Sequence, residues 1–150
     1  MIKRFAFIFV ILFVFSLLVS IYQIAKAKQR ILETKESILV INPVSLPPSE
    51  IKKNQFHFVW EIDAPPSFKA NQTSVFYSYQ SSPSALLKTD SPEAVGYPEK
   101  SSDYDQGPFF LPARFDANLT FGKPGRVFYR LYARINGNHL WTEEKSFLIK

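Results

Sequence analysis

Apolar and polar positions follow two different rhythms along this chain, and the change between them divides it. From Phe5 to Ala25 (FAFIFVILFVFSLLVSIYQIA) there is no charged residue, and only Ser16, Ser20 and Gln23 interrupt the apolar run. Wound as a helix rising about 1.5 Å per residue, the run measures roughly 30 Å, the thickness of a bilayer's hydrocarbon core. The pattern predicts a transmembrane helix over residues 5–25, behind a short tail at 1–4. The following polar helix formers, free of Gly and Pro, predict a helical stalk over 26–36. Ile24, Ile31 and Ile38 recur every seven residues, as one edge of a helix-pairing seam for self-association would, but the partner positions of such a seam are unfilled and a solvated stalk is the preferred expectation. A cleaved export signal is the competing reading. The only small-x-small triplet, Ala25-Lys26-Ala27, lies beyond a full span, and the expectation is a retained anchor.

Beyond the stalk the period changes to two. Ser37 to Asn42 is a short β-branched run ended by Pro43, and the β domain is expected over 37–150. Gln55 to Ile62 sets Phe56, Phe58, Trp60 and Ile62 on one face and His57, Val59 and Glu61 on the other, before Asp63-Ala-Pro-Pro66 stops it. Strands are likewise expected over Thr73–Tyr79 and Phe115–Phe121. After the turn Gly122–Gly125 comes the longest alternation, Arg126 to Ile135. Asn136-Gly137-Asn138 turns it back into His139–Ile149. Gln80 to Leu111 is rich in Ser, Pro and Asp and breaks the pattern. A segment so long is a functional loop or hides an edge strand, sought at Ala85-Leu86-Leu87 or Phe109-Phe110-Leu111.

Six or so strands at this spacing predict an all-β fold, a two-layer antiparallel sandwich. The C-terminal part resembles fibronectin type III and related immunoglobulin-like modules. The resemblance rests on Leu119, Pro124-Gly125, the alternating RVFYRLYARI from Arg126 to Ile135, and the Asn-Gly turn leading to Trp141-Thr142-Glu143. It departs from that family in the strand tyrosine and alanine, since Tyr129 and Ala133 stand four apart where the family has six.

Charge changes little in this picture. The net +5 divides into +4 over residues 1–36, where six basic side chains meet two acidic ones, and +1 over the remainder. The excess flanks the apolar run, as expected of side chains meeting lipid head groups, and nucleic acid is not an expected partner. Lys3 and Arg4 on one side balance Lys26, Lys28 and Arg30 on the other, so the positive-inside rule does not fix orientation. A cytoplasmic N-terminus with the domain outside the cytoplasm is expected from the short tail and the tyrosine-rich β remainder. There is no cysteine, hence no disulfide or thiolate site.

Candidate binding residues fall in two groups. Arg126, Phe128, Arg130, Tyr132 and Arg134 share one strand face, a ladder of guanidinium groups and rings, while Val127, Tyr129, Leu131, Ala133 and Ile135 form the core row. A three-residue turn sets Arg130 opposite Glu144 and a two-residue turn sets it opposite Glu143, so the ladder also reads as an internally paired face. The three-residue turn is preferred because it puts Trp141 and Phe147 on the core side. The second group, Tyr97, Tyr104, Phe109 and Phe110, gathers aromatics in the polar loop and suits sugar or peptide recognition. Asp103-Tyr-Asp105-Gln-Gly107 matches the opening of a calcium loop but lacks the third ligand and the distal glutamate, leaving Asp103 and Asp105 as a weak metal candidate. Asn71-Gln-Thr73 and Asn118-Leu-Thr120 are sequons of the kind chance produces. His57 and His139 complete no triad and no metal spacing, so neither catalysis nor a cofactor is expected.

The sequence thus leads to a membrane-anchored, non-catalytic module of the cell envelope. It would hold lipid through residues 5–25 and act in adhesion, scaffolding or assembly with a protein or glycan partner. The alternative expectation is a pilin-like filament subunit with its helix packed in a shaft, although the usual basic leader and the acidic residue near the start of the run are missing.

Overall fold

The computed structural model describes residues 15–28 and 39–150 and divides the chain into two compact units, Met1–Ile38 and Leu39–Lys150. In the first unit, residues 15–28 are helical and their side chains exposed, with Ser20 Oγ donating to the Ser16 carbonyl at 2.9 Å. This corrects the expected span. Among the described residues no helix is long and apolar enough to cross a membrane. The described turns take in Gln23, Lys26 and Lys28. Residues 5–14 of the expected span and 29–36 of the expected stalk lie outside the described residues. The membrane-lipid contact, and the cytoplasmic and extracytoplasmic placement built on that span, lose their basis with it.

The second unit is built from two sheets. The smaller has the order β1-β3-β7, from β1 (Val40–Ser45), β3 (Gln55–Asp63) and β7 (Ala113–Thr120). The larger runs β2-β10-β8-β4-β5, from β2 (Glu50–Ile51), β4 (Lys69–Ser78), β5 (Glu99–Lys100), β8 (Gly125–Ile135) and β10 (Lys145–Ile149). Two further strands attach to it, β6 (Phe109–Phe110) to β4 and β9 (Asn138–Trp141) to β8. The fold-class expectation is corrected here as well as at the helix, because β2 runs parallel to β10 and the arrangement is not an all-antiparallel one. β1 is an outer strand of the smaller sheet, and it carries Pro43 and a register irregularity between Pro43 and Ser45.

The main core lies where period-two alternation turns apolar side chains of both sheets toward one another. Phe58, Trp60 and Ile62 of β3 meet Val127, Tyr129 and Leu131 of β8, with Phe121 and Phe147 at one end, and all are buried. Rings meet edge to face, as the aromatic quadrupole favours: Phe58 on Tyr129 and Phe121 on Phe147, each at 5.2 Å. One hydroxyl joins the layers. Thr73 Oγ1 accepts from Trp60 Nε1 at 2.9 Å and donates to the Tyr132 carbonyl at 2.7 Å, so no polar atom of that trio is stranded.

The hairpin β8–β9 turns on Asn136 (φ +52°) and Gly137 (φ +83°), and Ile135 pairs with Asn138. That is a two-residue turn, whose two positive φ angles match strand twist, and it replaces the three-residue turn expected from sequence. After Tyr132 pairs with Trp141, pairing resumes at Tyr129 with Lys145. Thr142, Glu143 and Glu144 therefore stand opposite only Arg130 and Leu131. The bulge is stitched by Leu131 N–H donating to Thr142 Oγ1 at 2.9 Å and Thr142 N–H donating to the Leu131 carbonyl at 3.0 Å. An extra residue flips facing, so Phe147 points into the core while Trp141 lies on the outer face, not the core side.

The Gln80–Leu111 segment folds back over that outer face. It contains a 3₁₀ turn (Pro92–Ala94), β5 and β6; Phe109–Phe110 is a strand as sought, Ala85–Leu87 is not, and β5 went unforeseen. Gly107 lies directly on β4, where its N–H donates to the Asn71 carbonyl at 2.7 Å and a Cβ would collide with the Ala70 carbonyl. A second apolar cluster results, Phe76, Val95, Tyr97 and Tyr132 with Leu86, Phe128 and Trp141 packed against it.

Candidate ligand-binding cleft

A buried cation fastens this cover. Arg130 sits on the outer row of β8, yet is only 3% exposed. Its Nε donates to Tyr97 Oη at 2.9 Å and one terminal nitrogen to the Thr142 carbonyl at 2.9 Å. The other terminal nitrogen donates to the Ser82 and Ser84 carbonyls at 2.9 and 2.8 Å. Tyr97 Oη in turn donates to Glu144, which also accepts from Ser81 Oγ and the Ser82 N–H at 2.6 Å each. A planar fork with this many donors suits a turn of carbonyls as no other side chain does. Arg130 and Glu144 are thus linked through the phenol. Burial pushes the Tyr97 phenol up to about 12, helped by Glu144 and opposed by Arg130. Burial alone would raise Glu144. The hydrogen bonds from Ser81, Tyr97 and the Ser82 N–H, with the Arg130 charge, outweigh it and hold Glu144 below the usual carboxylate range. Farther along, Trp141 Nε1 donates to the Asp90 carbonyl and the His139 N–H to the Lys88 carbonyl, both at 2.9 Å.

Fastened at those points, the cover leaves an open cleft of about 950 Å³ against the sheet. Its floor comes from the outer rows of β4 and β8, among them Gln72, Phe76, Ser78, Tyr132 and Arg134, with His139 of β9 beside them. Ser91–Glu93, Gly96–Pro98 and Lys100 form the opposite wall. Across the floor, Gln72 pairs with Arg134 and Arg134 with His139, so an amide, a guanidinium and an imidazole form one rung on three adjacent strands. The Gln72 amide donates to Asp105 at 3.1 Å, and Lys100 reaches the same carboxylate oxygen at 2.6 Å. Burial raises Asp105, but Lys100 and Gln72 prevail and hold it low. Tyr132 Oη lies 2.7 Å from His139 Nδ1, with the rings stacked at 5.8 Å. Burial pushes the Tyr132 phenol up to about 12, and its hydroxyl and Nδ1 share one hydrogen bond. Arg134 is exposed, and among the described residues no carboxylate pairs with it.

The residues singled out from sequence separate accordingly. Of the guanidinium and ring ladder, Arg130 is a buried fastener, Tyr132 and Arg134 line the cleft, Phe128 packs on the outer cluster, and exposed Arg126 donates to Ser146 Oγ at 3.3 Å. Of the loop aromatics, Tyr97 is both fastener and wall. Tyr104 and Phe109 close the main core instead, at 5.1 and 5.7 Å from the Phe115 ring. Phe110 is 68% exposed beneath Lys69 Nζ, 4.6 Å from its centroid and away from the cleft. Asp103 and Asp105 converge on nothing metal-like: Asp105 is held by Lys100 and Gln72, and among the described residues no three His, Asp or Glu gather as metal ligands. Sequence reasoning missed Gln72, Ser78, Glu93 and His139. A two-residue reading of Asn136-Gly137 places His139 beside Arg134, the one signal available beforehand.

No protein-family model matches the chain, and no curated protein does. Among solved structures, it is similar to a superoxide reductase (neelaredoxin) from Ignicoccus hospitalis in three forms. The first has 11% identity and a TM-score of 0.49, covering 78% of this chain and 85% of that one. The second has 11% identity and a TM-score of 0.44, and the third 10% and 0.43; each covers 73% of this chain and 80% of the other. Scores this low carry no conclusion about what this chain does. The functional expectation is nonetheless corrected. An envelope anchor for adhesion or assembly, and the filament subunit beside it, both rested on the apolar helix as a span or shaft. Among the described residues no helix has the length and apolar character to cross a membrane.

Proposed function

We propose that the β unit is a binding module that takes a segment of a partner in the cleft on the outer face of its larger sheet, without chemistry. The single observation that carries this reading is the cleft itself. Roughly 950 Å³ of open space is kept between a sheet and a loop that could have collapsed onto it, at the upper end of the range ligand sites occupy. Holding that loop required burying Arg130, an expensive group to desolvate. Binding without catalysis is supported by how far apart the reactive groups lie: Ser78 pairs with Phe128 and His139 with Arg134, six residues or roughly 20 Å along β8. His139 Nδ1 is taken by Tyr132, and Ser78 Oγ accepts the Gln80 N–H at 3.0 Å.

The test is a fluorinated-fragment screen of the isotope-labelled full chain by NMR. Perturbations are expected to cluster at Gln72, Ser78, Gly96, Tyr97 and Arg134 and to vanish in Ser91→Trp, which fills the cleft from its half-buried wall. Perturbations scattered over the surface, or persisting in Ser91→Trp, overturn the reading.

A further inference from the structure

Resting on that binding role, we infer that the cleft recognises a carboxylate of a peptide segment, through the Arg134 guanidinium with the His139 imidazole beside it. Register puts the two on neighbouring strands, where cross-strand side chains stand about 5 Å apart. That spacing suits two donors converging on one planar oxyanion. The neighbours of the pair are already spoken for: Gln72 and Lys100 both hold Asp105, and Tyr132 holds His139 Nδ1. Arg134 remains the exposed cation of the floor that lacks a carboxylate among the described residues, and the Tyr132 hydroxyl holds the imidazole beside it by Nδ1. A guanidinium favours carboxylates because two parallel N–H groups meet two oxygens. Glu93 on the facing wall carries the opposing charge; its carboxyl, held low by Ser91, also feels His139 and Lys100.

A peptide is favoured over a sugar acid because of how the rings lie. Sugars stack on exposed ring faces, whereas Phe76, Tyr97 and Tyr132 are buried at 4%, 4% and 0% exposure, and half-buried Tyr79 already has Lys123 Nζ over its ring at 4.7 Å.

Calorimetric titration of the full chain with oligoglutamate, oligoglutamine and oligogalacturonate tests the inference. Oligoglutamate is expected to bind, with Arg134→Gln weakening it at least about tenfold at unchanged melting temperature, as loss of a charge-assisted contact requires. Arg134→Lys, which keeps the charge and loses the fork, is expected to fall between. If oligoglutamine binds equally well and Arg134→Gln changes nothing, the carboxylate assignment is overturned while the cleft reading stands. Tighter binding of oligogalacturonate overturns the peptide assignment. If none of the three binds, and fragments also fail to find the cleft, the inference and the binding role fall together.

Discussion

The two sheets turn the same alternating pattern outward and obtain opposite results. On the smaller sheet the outer rows of β3 and β7 meet solvent, and their polar side chains pair across strands in the open: His57 with Asp116 at 2.9 Å and Arg114 with Glu61 at 3.6 Å. On the larger sheet the same kind of row is roofed, so Arg130 is sealed among carbonyls and joined to Glu144 through Tyr97. Arginine on a strand face therefore has no fixed meaning. Solvent makes an ion pair nearly neutral in energy, whereas enclosure makes its partners indispensable.

The sharpest way to break this contrast is Arg130→Ala. It leaves Glu144 without its counter-charge and several carbonyls without donors, and should cost about 3–5 kcal/mol in denaturant unfolding. Proteolysis within residues 80–98 should accelerate. Next, Tyr97→Phe removes the hydroxyl between guanidinium and carboxylate and should cost about 1–3 kcal/mol. The acid limb of stability follows from the sign of the Glu144 shift. A carboxyl held low when folded stabilises above its unfolded pKa, and that contribution is lost as pH falls through its lowered folded value. Melting temperature should accordingly drop on acidification, and Glu144→Gln should start lower and respond less steeply over that range. Smallest of all, Asp116→Asn on the open sheet should stay within about 0.5 kcal/mol of the parent. A loss there as large as that of Arg130→Ala would erase the distinction between the two faces.

Much of this could be read in the sequence at the level of strands, and little at the level of faces. The alternation of Phe56–Ile62 and of Val127–Ile135 identifies the core rows because side-chain direction is set by backbone period alone. Asn136-Gly137 marks the turn for an equally local reason. The bulge at Thr142–Glu144 escapes because no Gly or Pro announces it, and with it goes the facing of Trp141. The roof escapes for another reason. Val95 and Tyr97 stand singly in a polar stretch, and their burial depends on Arg130 and Glu144, which are far away in sequence. His139 beside Arg134 required only the correct turn length.

Pro43 in β1 has an effect beyond its own sheet. An outer strand with a continuous row of free N–H and C=O groups is a template on which a second molecule can assemble into fibrils. The missing N–H at Pro43 and the irregularity beside it interrupt that row despite exposed Val40 and Val44. Along this rim, concentrated protein is guarded against edge-to-edge stacking by one imino acid.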